Sequence, residues 1–306
     1  MRLLLTKGAN PDIQDNRGDT ALIMAADAPA EAVVRLLLTD KGKLDIANKS
    51  GDTALILAAD KGHVEVTRLL LTEEAKLDIV NNDGNTALIL AAYRGHEKVV
   101  CLLLTGGAKL DIVDECGNTA LILAAGNGHE AVVHLLLTNG ANLDTVNEYG
   151  CTALVLAVDM GAEAVVRLLL TNGANLNILN DYGNTALILA AEKGAVAVRL
   201  LPTNGANLNI VNDYGNTALI LAAEKGAVAV VRLLPTNGAK LDIANKYGNT
   251  ALIVAADSGH EAVVRLLLMH GANHDVVNQD GNVASTLAAH WGYEGITSLL
   301  RTNGTK

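Results

Sequence analysis

One short phrase returns along the whole chain at an almost constant interval, and this repeat limits the folds that the chain can adopt. Gly-x-Thr-Ala-Leu is intact in eight copies and degraded in a ninth, and it recurs every 33 residues except for one interval of 32. Repeats of this length bury their apolar faces only against one another, so the chain must stack them. The copies begin at Gly18, Gly51, Gly84, Gly117, Gly150, Gly183, Gly215, Gly248 and Gly281.

Each repeat contains signals for two short helices and a turn. In the repeat of residues 117–149, Thr119 is a suitable N-cap for the run Ala-Leu-Ile-Leu-Ala-Ala, which ends near Gly128. A second apolar run ends before Gly140, a residue suited to a left-handed C-terminal position. The remainder is rich in Asn, Asp and Gly, as turns are. Neither helix is long enough to be stable alone, so the pattern predicts an all-α fold held by contacts between repeats.

Composition and charge exclude several classes of protein. Hydrophobic residues make up 50% of the chain but aromatic residues only 2%, so we predict a core of Leu, Ala, Val and Ile. The net charge of −10 argues against nucleic-acid binding, which needs clustered basic residues. Polar residues interrupt every apolar run well before the roughly 20 residues of a membrane span, so no membrane insertion is predicted. Three cysteines and no recognisable secretory signal predict a reducing, cytoplasmic location.

Several motifs together carry a family resemblance. They are the 33-residue period, the block Thr-Ala-Leu-Ile-Leu-Ala-Ala, a following Gly-His, the run Val-Val-x-Leu-Leu-Leu and a closing Gly-Ala. With them the chain resembles the ankyrin-repeat family over essentially its whole length. The resemblance implies an ankyrin-repeat solenoid of stacked helix-turn-helix units with β-turn fingers, acting as a non-catalytic scaffold for protein–protein interaction. The family's usual Thr-Pro-Leu-His is Thr-Ala-Leu-Ile here, a change that we expect the fold to tolerate.

We predict a single domain over residues 1–306. It comprises a partial repeat at 1–17, eight repeats at 18–280 and a C-terminal capping repeat at 281–306, where polar residues replace apolar ones. The chain starts with a sequence typical of a second helix, so its N-terminal apolar face is expected to be open. Either the chain is a fragment of a longer array, or this face meets a partner, including a second copy of the chain. The polar replacements are Ser285, Thr286, Thr297 and Arg301.

Two nearly identical repeats in the middle of the chain, at residues 180–211 and 212–244, carry an unusual proline. Pro202 and Pro235 stand where the other second helices end in leucine, so a shortened or kinked helix is predicted there. The first of these repeats also lacks a valine between Val198 and Arg199, and we expect the preceding loop to adjust.

The residues that usually carry catalysis or metal binding are present but not arranged for it. His63, His96, His129 and His260 each follow a glycine at the same place in their repeats, too far apart to share one metal, and are predicted to hydrogen-bond the loop. Cys116 and Cys151 have no phased base beside them and are assigned to packing or surface positions. We therefore predict no catalytic activity, no metal and no cofactor.

The resemblance also implies a modification site. Ankyrin repeats are targets of asparaginyl hydroxylation in the turn, and Asn177 and Asn209 occupy the matching place. The acidic residue expected two positions earlier is Asn175 or Asn207 instead, which weakens the match.

By resemblance, a partner binds to a concave surface formed by the finger tips and the exposed side of the first helices. Four consecutive repeats carry tyrosine just before their glycine, and tyrosine is enriched in binding hot spots. The alternative is that the tyrosines are inherited by duplication and only cover the next finger. These tyrosines, named the tyrosine row below, are Tyr149, Tyr182, Tyr214 and Tyr247.

Acidic residues predominate at a second position, just after the Ala-Ala of each first helix. We predict a negative groove that binds a basic or amphipathic protein or peptide, with Met160 beside it; the alternative is a solvated face without charge preference. A further alternative function is a recognition module of a larger multidomain protein or secreted effector whose activity lies outside this chain. The residues at this position are Asp27, Asp60, Tyr93, Gly126, Asp159, Glu192, Glu224, Asp257 and His290.

Overall fold

The computed structural model describes residues 7–39, 43–194 and 196–303, and over these ranges the chain forms eighteen α-helices and no β-strand. The all-α fold predicted from the repeat is therefore confirmed. The helices form two compact units, divided between Glu148 and Tyr149. Each unit is a series of helix-turn-helix repeats, and the assignment of residues 1–306 to a single domain stays a prediction.

The first unit contains four described helix pairs. Each first helix packs against the first helix of the next repeat, and the second helices pack in the same way. The first helices are Ala21–Asp27, Ala54–Asp60, Ala87–Arg94 and Ala120–Gly126. The second helices are Glu31–Thr39, Val64–Thr72, Glu97–Thr105 and Glu130–Thr138.

The second unit contains five helix pairs, of which one is irregular. In that pair the second helix consists of a 3₁₀ turn, Val196–Arg199, followed by a short α-helix, Leu200–Thr203. The first helices are Ala153–Asp159, Ala186–Lys193, Ala218–Glu224, Ala251–Asp257 and Ala284–His290. The regular second helices are Glu163–Thr171, Val228–Thr236, Glu261–Met269 and Glu294–Asn303.

Threonine begins the first helices, as predicted. In each intact repeat the threonine Oγ1 accepts the backbone N–H three residues later; Thr119, for example, accepts from Ile122 at 3.3 Å. This bond satisfies one of the N–H groups that a helix leaves unpaired at its start. Val283 of the last repeat has no such oxygen, and there the Thr286 hydroxyl oxygen accepts the Val283 N–H at 3.0 Å instead.

The fingers that join the repeats are shaped by asparagine. The Asn212 Oδ1 accepts the backbone N–H groups of Tyr214 and Asn216, both at 3.0 Å, and thereby fixes its own turn. Its Nδ2 donates to the Asn184 Oδ1 of the preceding repeat at 3.0 Å. One buried side chain therefore holds both the shape of a finger and its contact with the neighbouring finger.

The glycine of the repeated phrase permits this close approach. Gly183 has a φ of +70°, and a Cβ placed on it would lie 2.7 Å from the backbone nitrogen of Asp213 in the next finger. The Asp213 N–H donates to the Tyr182 carbonyl oxygen at 3.3 Å. Any other residue at Gly183 would be strained in φ and would also push this bond apart.

The core consists of the predicted aliphatic residues. Ile89 and Leu103, which come from the two helices of one repeat, are 1% and 0% exposed. Alanines such as Ala91, at 0%, allow the first helices to pack closely. Burial of these short helices against their neighbours supplies the stability that each of them lacks alone.

The prediction of a shortened second helix was wrong at Pro235, and a kink there stays a prediction. Pro235 lies inside Val228–Thr236, which has nine residues like most second helices. Because Pro235 is the penultimate helical residue, its missing N–H affects only the last turn. The Asn237 N–H accordingly bonds to the Leu234 and Pro235 carbonyl oxygens, and the Asn237 Nδ2 donates to the Leu233 carbonyl oxygen at 2.9 Å.

The second helix that contains Pro202 is irregular at its start, where the valine is missing. We expected the preceding loop to adjust to the missing valine. The adjustment that the structure describes is the 3₁₀ turn Val196–Arg199. Residue 195, just before it, lies outside the described residues. A 3₁₀ turn has fewer residues per turn than an α-helix. The apolar side chains therefore still face the core although the segment is one residue shorter. Ala197, Val198 and Leu201 are buried, like Val230, Val231 and Leu234 of the next repeat.

The structure describes the last repeat of the chain but not its first six residues. In the last repeat, Thr286 and Arg301 are exposed, and Ser285 and Thr297 are half-buried, in positions that other repeats fill with core residues. This burial pattern fits the predicted cap. At the other end, residues 1–6 lie outside the described residues, so the open N-terminal face and self-association through it stay predictions.

Candidate protein-binding face

The tyrosine row lies entirely in the second unit, at the tips of four consecutive fingers. The four side chains are between 57% and 65% exposed, which is high for residues of this size. Their backbones are nevertheless fixed, because each tyrosine carbonyl oxygen accepts an N–H of the next finger; that of Tyr214 accepts from Lys246 at 3.0 Å. The row therefore presents aromatic side chains from a rigid, regularly spaced backbone.

The acidic position of the first helices forms a second row in the same unit, named the acidic row: Asp159, Glu192, Glu224 and Asp257. Its outer members are engaged. Lys193 places its Nζ 2.6 Å from Asp159 Oδ1, and the Trp291 Nε1–H donates to Asp257 Oδ1 at 2.7 Å. Among the described residues, the carboxylates of Glu192 and Glu224 form no ion pair.

The structure shows in the first unit that these two positions line one groove. A groove of about 670 Å³ lies between the fingers and the first helices there. Its lining includes Arg17 and Ser50, which hold the tyrosine position in their repeats. It also includes Asp27, at the acidic position, and the apolar side chains of Met24 and Leu57.

In the second unit the tyrosine row and the acidic row hold the same two repeat positions. Leu156 and Leu189 hold the repeat position of Leu57 and are half-buried. Met160, the other residue predicted for this face, is 67% exposed. These repeat positions of the second unit therefore carry exposed aromatic, half-buried aliphatic and acidic side chains.

One residue of this face escaped the sequence analysis. Trp291 is 57% exposed and holds the repeat position of Met160, directly after the acidic position. Its ring also meets that of His290 edge-on, with centroids 5.1 Å apart. Comparing the residue directly after the acidic position in all repeats would have identified Trp291.

The histidines form hydrogen bonds, as predicted, but their partner is the end of a helix in the preceding repeat and not the loop. His96 Nε2 lies 2.9 Å from the backbone carbonyl oxygen of Asp60, at the end of the first helix of the preceding repeat. His63, His129 and His260 make the same contact at 3.1, 2.9 and 2.9 Å. The ring also packs on a glycine of the preceding repeat, as His96 does on Gly62.

The other residues considered for chemistry are placed as follows. Cys151 is buried, its thiol donates to the Tyr149 carbonyl oxygen at 3.7 Å, and burial raises the pKa of this thiol, whereas Cys116 is exposed. In the described ranges no three His, Cys, Asp or Glu side chains come together as metal ligands would. Within the same ranges no helix is both long and apolar enough to cross a membrane.

The two asparagines matched to the hydroxylation position contribute to the packing of the fingers. The Asn177 Oδ1 accepts the Asn207 N–H at 2.9 Å, and the Asn209 Oδ1 accepts the Lys240 N–H at 2.8 Å. Asn177 is exposed and Asn209 half-buried. Their hydroxylation stays a prediction.

A comparison with protein families decides the identity of the repeats. The family model described as ankyrin repeats (3 copies) matches residues 1–81, 33–114, 101–180, 171–245 and 230–306, which together span the chain. The chain belongs to the ankyrin-repeat family. No curated protein matches the chain closely enough to serve as a relative. Ankyrin repeats are generally protein–protein interaction modules and typically non-catalytic, so a protein partner follows from the family, whereas the identity of that partner does not.

Proposed function

We propose that this ankyrin-repeat protein is a non-catalytic scaffold that binds a partner protein or peptide on the face between the tyrosine row and the acidic row. The observation that carries the proposal is the exposure of four tyrosines at successive finger tips whose backbones are fixed by hydrogen bonds. Tyrosine offers a large contact area for little loss of conformational entropy, and a rigid backbone lowers the entropic cost of binding further.

The location of this face in one unit also supports the proposal. In the first unit the tyrosine position holds Arg17 and Ser50, among other residues, and none of its four fingers carries a tyrosine there. If the tyrosine rings only covered the next finger, both units would need them. That role therefore does not explain why this position holds tyrosine in the second unit alone. Binding by the second unit does account for it. The predicted cytoplasmic location, drawn from the cysteine content, is compatible with such a partner.

Affinity capture from the lysate of the cells that produce the protein tests the proposal. The bait is compared with a variant in which all four residues of the tyrosine row are replaced by alanine. We expect the unaltered bait to capture at least one protein whose captured amount falls tenfold or more with the variant. Circular dichroism and thermal unfolding must show that the variant is folded, as expected for exposed positions.

Met269→Ala is the control. Met269 is 76% exposed, ends the second helix Glu261–Met269 of the same unit and belongs to neither row. The control must retain the same proteins as the unaltered bait. Equal capture by the unaltered and the fourfold variant would contradict the proposal and would make the tyrosine row a product of duplication.

A further inference from the structure

We infer that the partner of this face is an extended peptide segment with a basic side chain at every third position, recognised by Glu192 and Glu224. This inference rests on the proposed function, because it places the segment between the tyrosine row and the acidic row. It specifies the chemistry and the spacing of the partner, which the family does not.

The first step concerns which carboxylates are available. Lys193 is held by Asp159, since its Nζ contacts Oδ1 at 2.6 Å and the carbonyl oxygen at 3.1 Å. Asp257 accepts the Trp291 N–H at 2.7 Å. Glu192 and Glu224, which lie between them, are exposed and form no ion pair among the described residues. Two neighbouring carboxylates therefore offer full charge to a partner.

The second step concerns the surrounding charge. Besides the engaged Lys193, Lys225 directly follows Glu224 and Lys246 lies at a finger tip. The other exposed cations of these two repeats belong to the second helices and the turn that follows them, outside both rows: Arg199, Arg232 and Lys240. Asp181 and Asp213 add exposed carboxylates on the fingers, next to the tyrosines. The four carboxylates of the acidic row outnumber Lys193 and Lys225, and Asp181 and Asp213 outnumber Lys246, so the face attracts cations and repels acidic segments.

The third step concerns spacing. Glu192 and Glu224 hold the same position in adjacent repeats, whose first helices pack against each other, and packed helices lie about 8–10 Å apart. An extended chain in the polyproline II conformation has three residues per turn and advances about 3.1 Å per residue, so residues i and i+3 lie on the same side about 9 Å apart. Basic side chains at positions i and i+3 therefore match the two carboxylates, and the residues between them can face the tyrosines.

Fluorescence anisotropy with synthetic peptides tests the inference. The probe is a labelled peptide with four copies of Lys-Val-Ser, compared with a peptide of the same composition whose four lysines are contiguous, and with four copies of Glu-Val-Ser. We expect the periodic lysine peptide to bind at least tenfold more tightly than the other two at 0.15 M salt. Equal affinity for the periodic and contiguous peptides, or binding of the glutamate peptide, would overturn the inference.

Paired variants separate local recognition from net charge. The double variant Glu192→Gln and Glu224→Gln should lose at least tenfold in affinity for the periodic peptide. The control, Glu97→Gln and Glu130→Gln, removes the same charge from exposed positions on second helices of the first unit, and should change affinity less than twofold. An equal loss in both would show non-specific attraction and overturn the inference.

The same peptide distinguishes failure of this inference from failure of the proposed function. If the fourfold tyrosine variant loses the peptide but the Glu192 and Glu224 variant retains it, the tyrosine row binds and only the charge preference is wrong. If the fourfold tyrosine variant binds the peptide as well as the unaltered protein, the proposed function fails and the inference loses its surface.

Discussion

His260 places its Nε2 2.9 Å from the backbone carbonyl oxygen of Glu224, and its ring packs on Gly226. The side chain thereby closes the end of one first helix from the repeat that follows. The same place in the preceding repeat holds Ala227, and no atom lies within 4 Å of a Cβ built on Gly194. In the described part of the chain, no side chain donates to the Glu192 carbonyl oxygen.

Ala227→His should therefore stabilise the second unit. The new imidazole has space over Gly194, and the Glu192 carbonyl oxygen receives no side-chain hydrogen bond from the described residues. A net hydrogen bond contributes about 1 kcal/mol. Urea unfolding followed by circular dichroism measures the gain. Ala227→Phe supplies a ring without a donor, so an equal gain from that variant would show that packing and not the hydrogen bond is responsible.

Thr67→Val should stabilise the first unit by about 1 kcal/mol. Thr67 is 0% exposed, and its Oγ1 has no hydrogen-bond partner among the described residues. Val34 and Val100 hold the equivalent position in the adjacent repeats, so a methyl group fits there. Removal of a buried, unpaired hydroxyl recovers its desolvation cost. The midpoint of urea unfolding should rise for Thr67→Val and fall for the control Thr67→Ser, and a fall for both would contradict this account.

Glu74→Gly should also stabilise the first unit, through the backbone. Glu74 has a φ of +63°, at a position where Gly107 and Gly140 of the next repeats have a φ of +89°. A left-handed conformation costs a residue with a side chain about 1–2 kcal/mol, of which the greater chain entropy of unfolded glycine offsets about half. We expect a net gain of about 0.5–1 kcal/mol in unfolding free energy.

Gly140→Ala is the complementary test of the same idea. No atom lies within 4 Å of a Cβ built on Gly140, so the strained φ alone should destabilise this variant. Differential scanning calorimetry should show a higher melting temperature for Glu74→Gly and a lower one for Gly140→Ala. A shift in the same direction for both variants would show that φ does not set the stability at this turn.

Local patterns allowed much of the fold to be predicted, because they act within a few residues. The position of Thr119 before an apolar run predicts an N-cap, and its Oγ1 accepts the Ile122 N–H as an N-cap does. A hydrogen bond from His96 was also predicted from its place in the repeat, but its partner, the Asp60 carbonyl oxygen of the preceding repeat, was not. Pro235 was misjudged because its effect depends on how many helical residues follow it, and helix ends are not defined by sequence to one residue.

Contacts between repeats could not be predicted in the same way. Glu31 and Arg35 have the i, i+4 spacing of a helical ion pair, yet Arg35 donates to Glu65 of the next second helix at 2.8 Å. Likewise, the exposed acidic row is evident from the sequence, but the engagement of Asp159 by Lys193 depends on the lateral offset of two packed helices. Packing geometry therefore decides which carboxylates remain available on the candidate face.

The irregular repeat should be the least protected part of the second unit against hydrogen exchange. Its second helix begins with a 3₁₀ turn, Val196–Arg199, whose hydrogen bonds have poorer geometry than those of an α-helix. Only four α-helical residues, Leu200–Thr203, follow, compared with nine in Val228–Thr236. Amide exchange depends on local opening, so the backbone N–H groups of Val198 and Leu201 should exchange at least tenfold faster than those of Val231 and Leu234.

Insertion of a valine between Val198 and Arg199 provides the control for this prediction, because it restores the 33-residue period and the sequence of the next repeat. Hydrogen exchange measured by mass spectrometry should then show similar protection in the two second helices, since a full α-helix can form. The proline is present in both repeats, so it cannot explain a difference between them. Equal protection of the two helices before the insertion would show that the 3₁₀ turn is as stable as the helix it replaces.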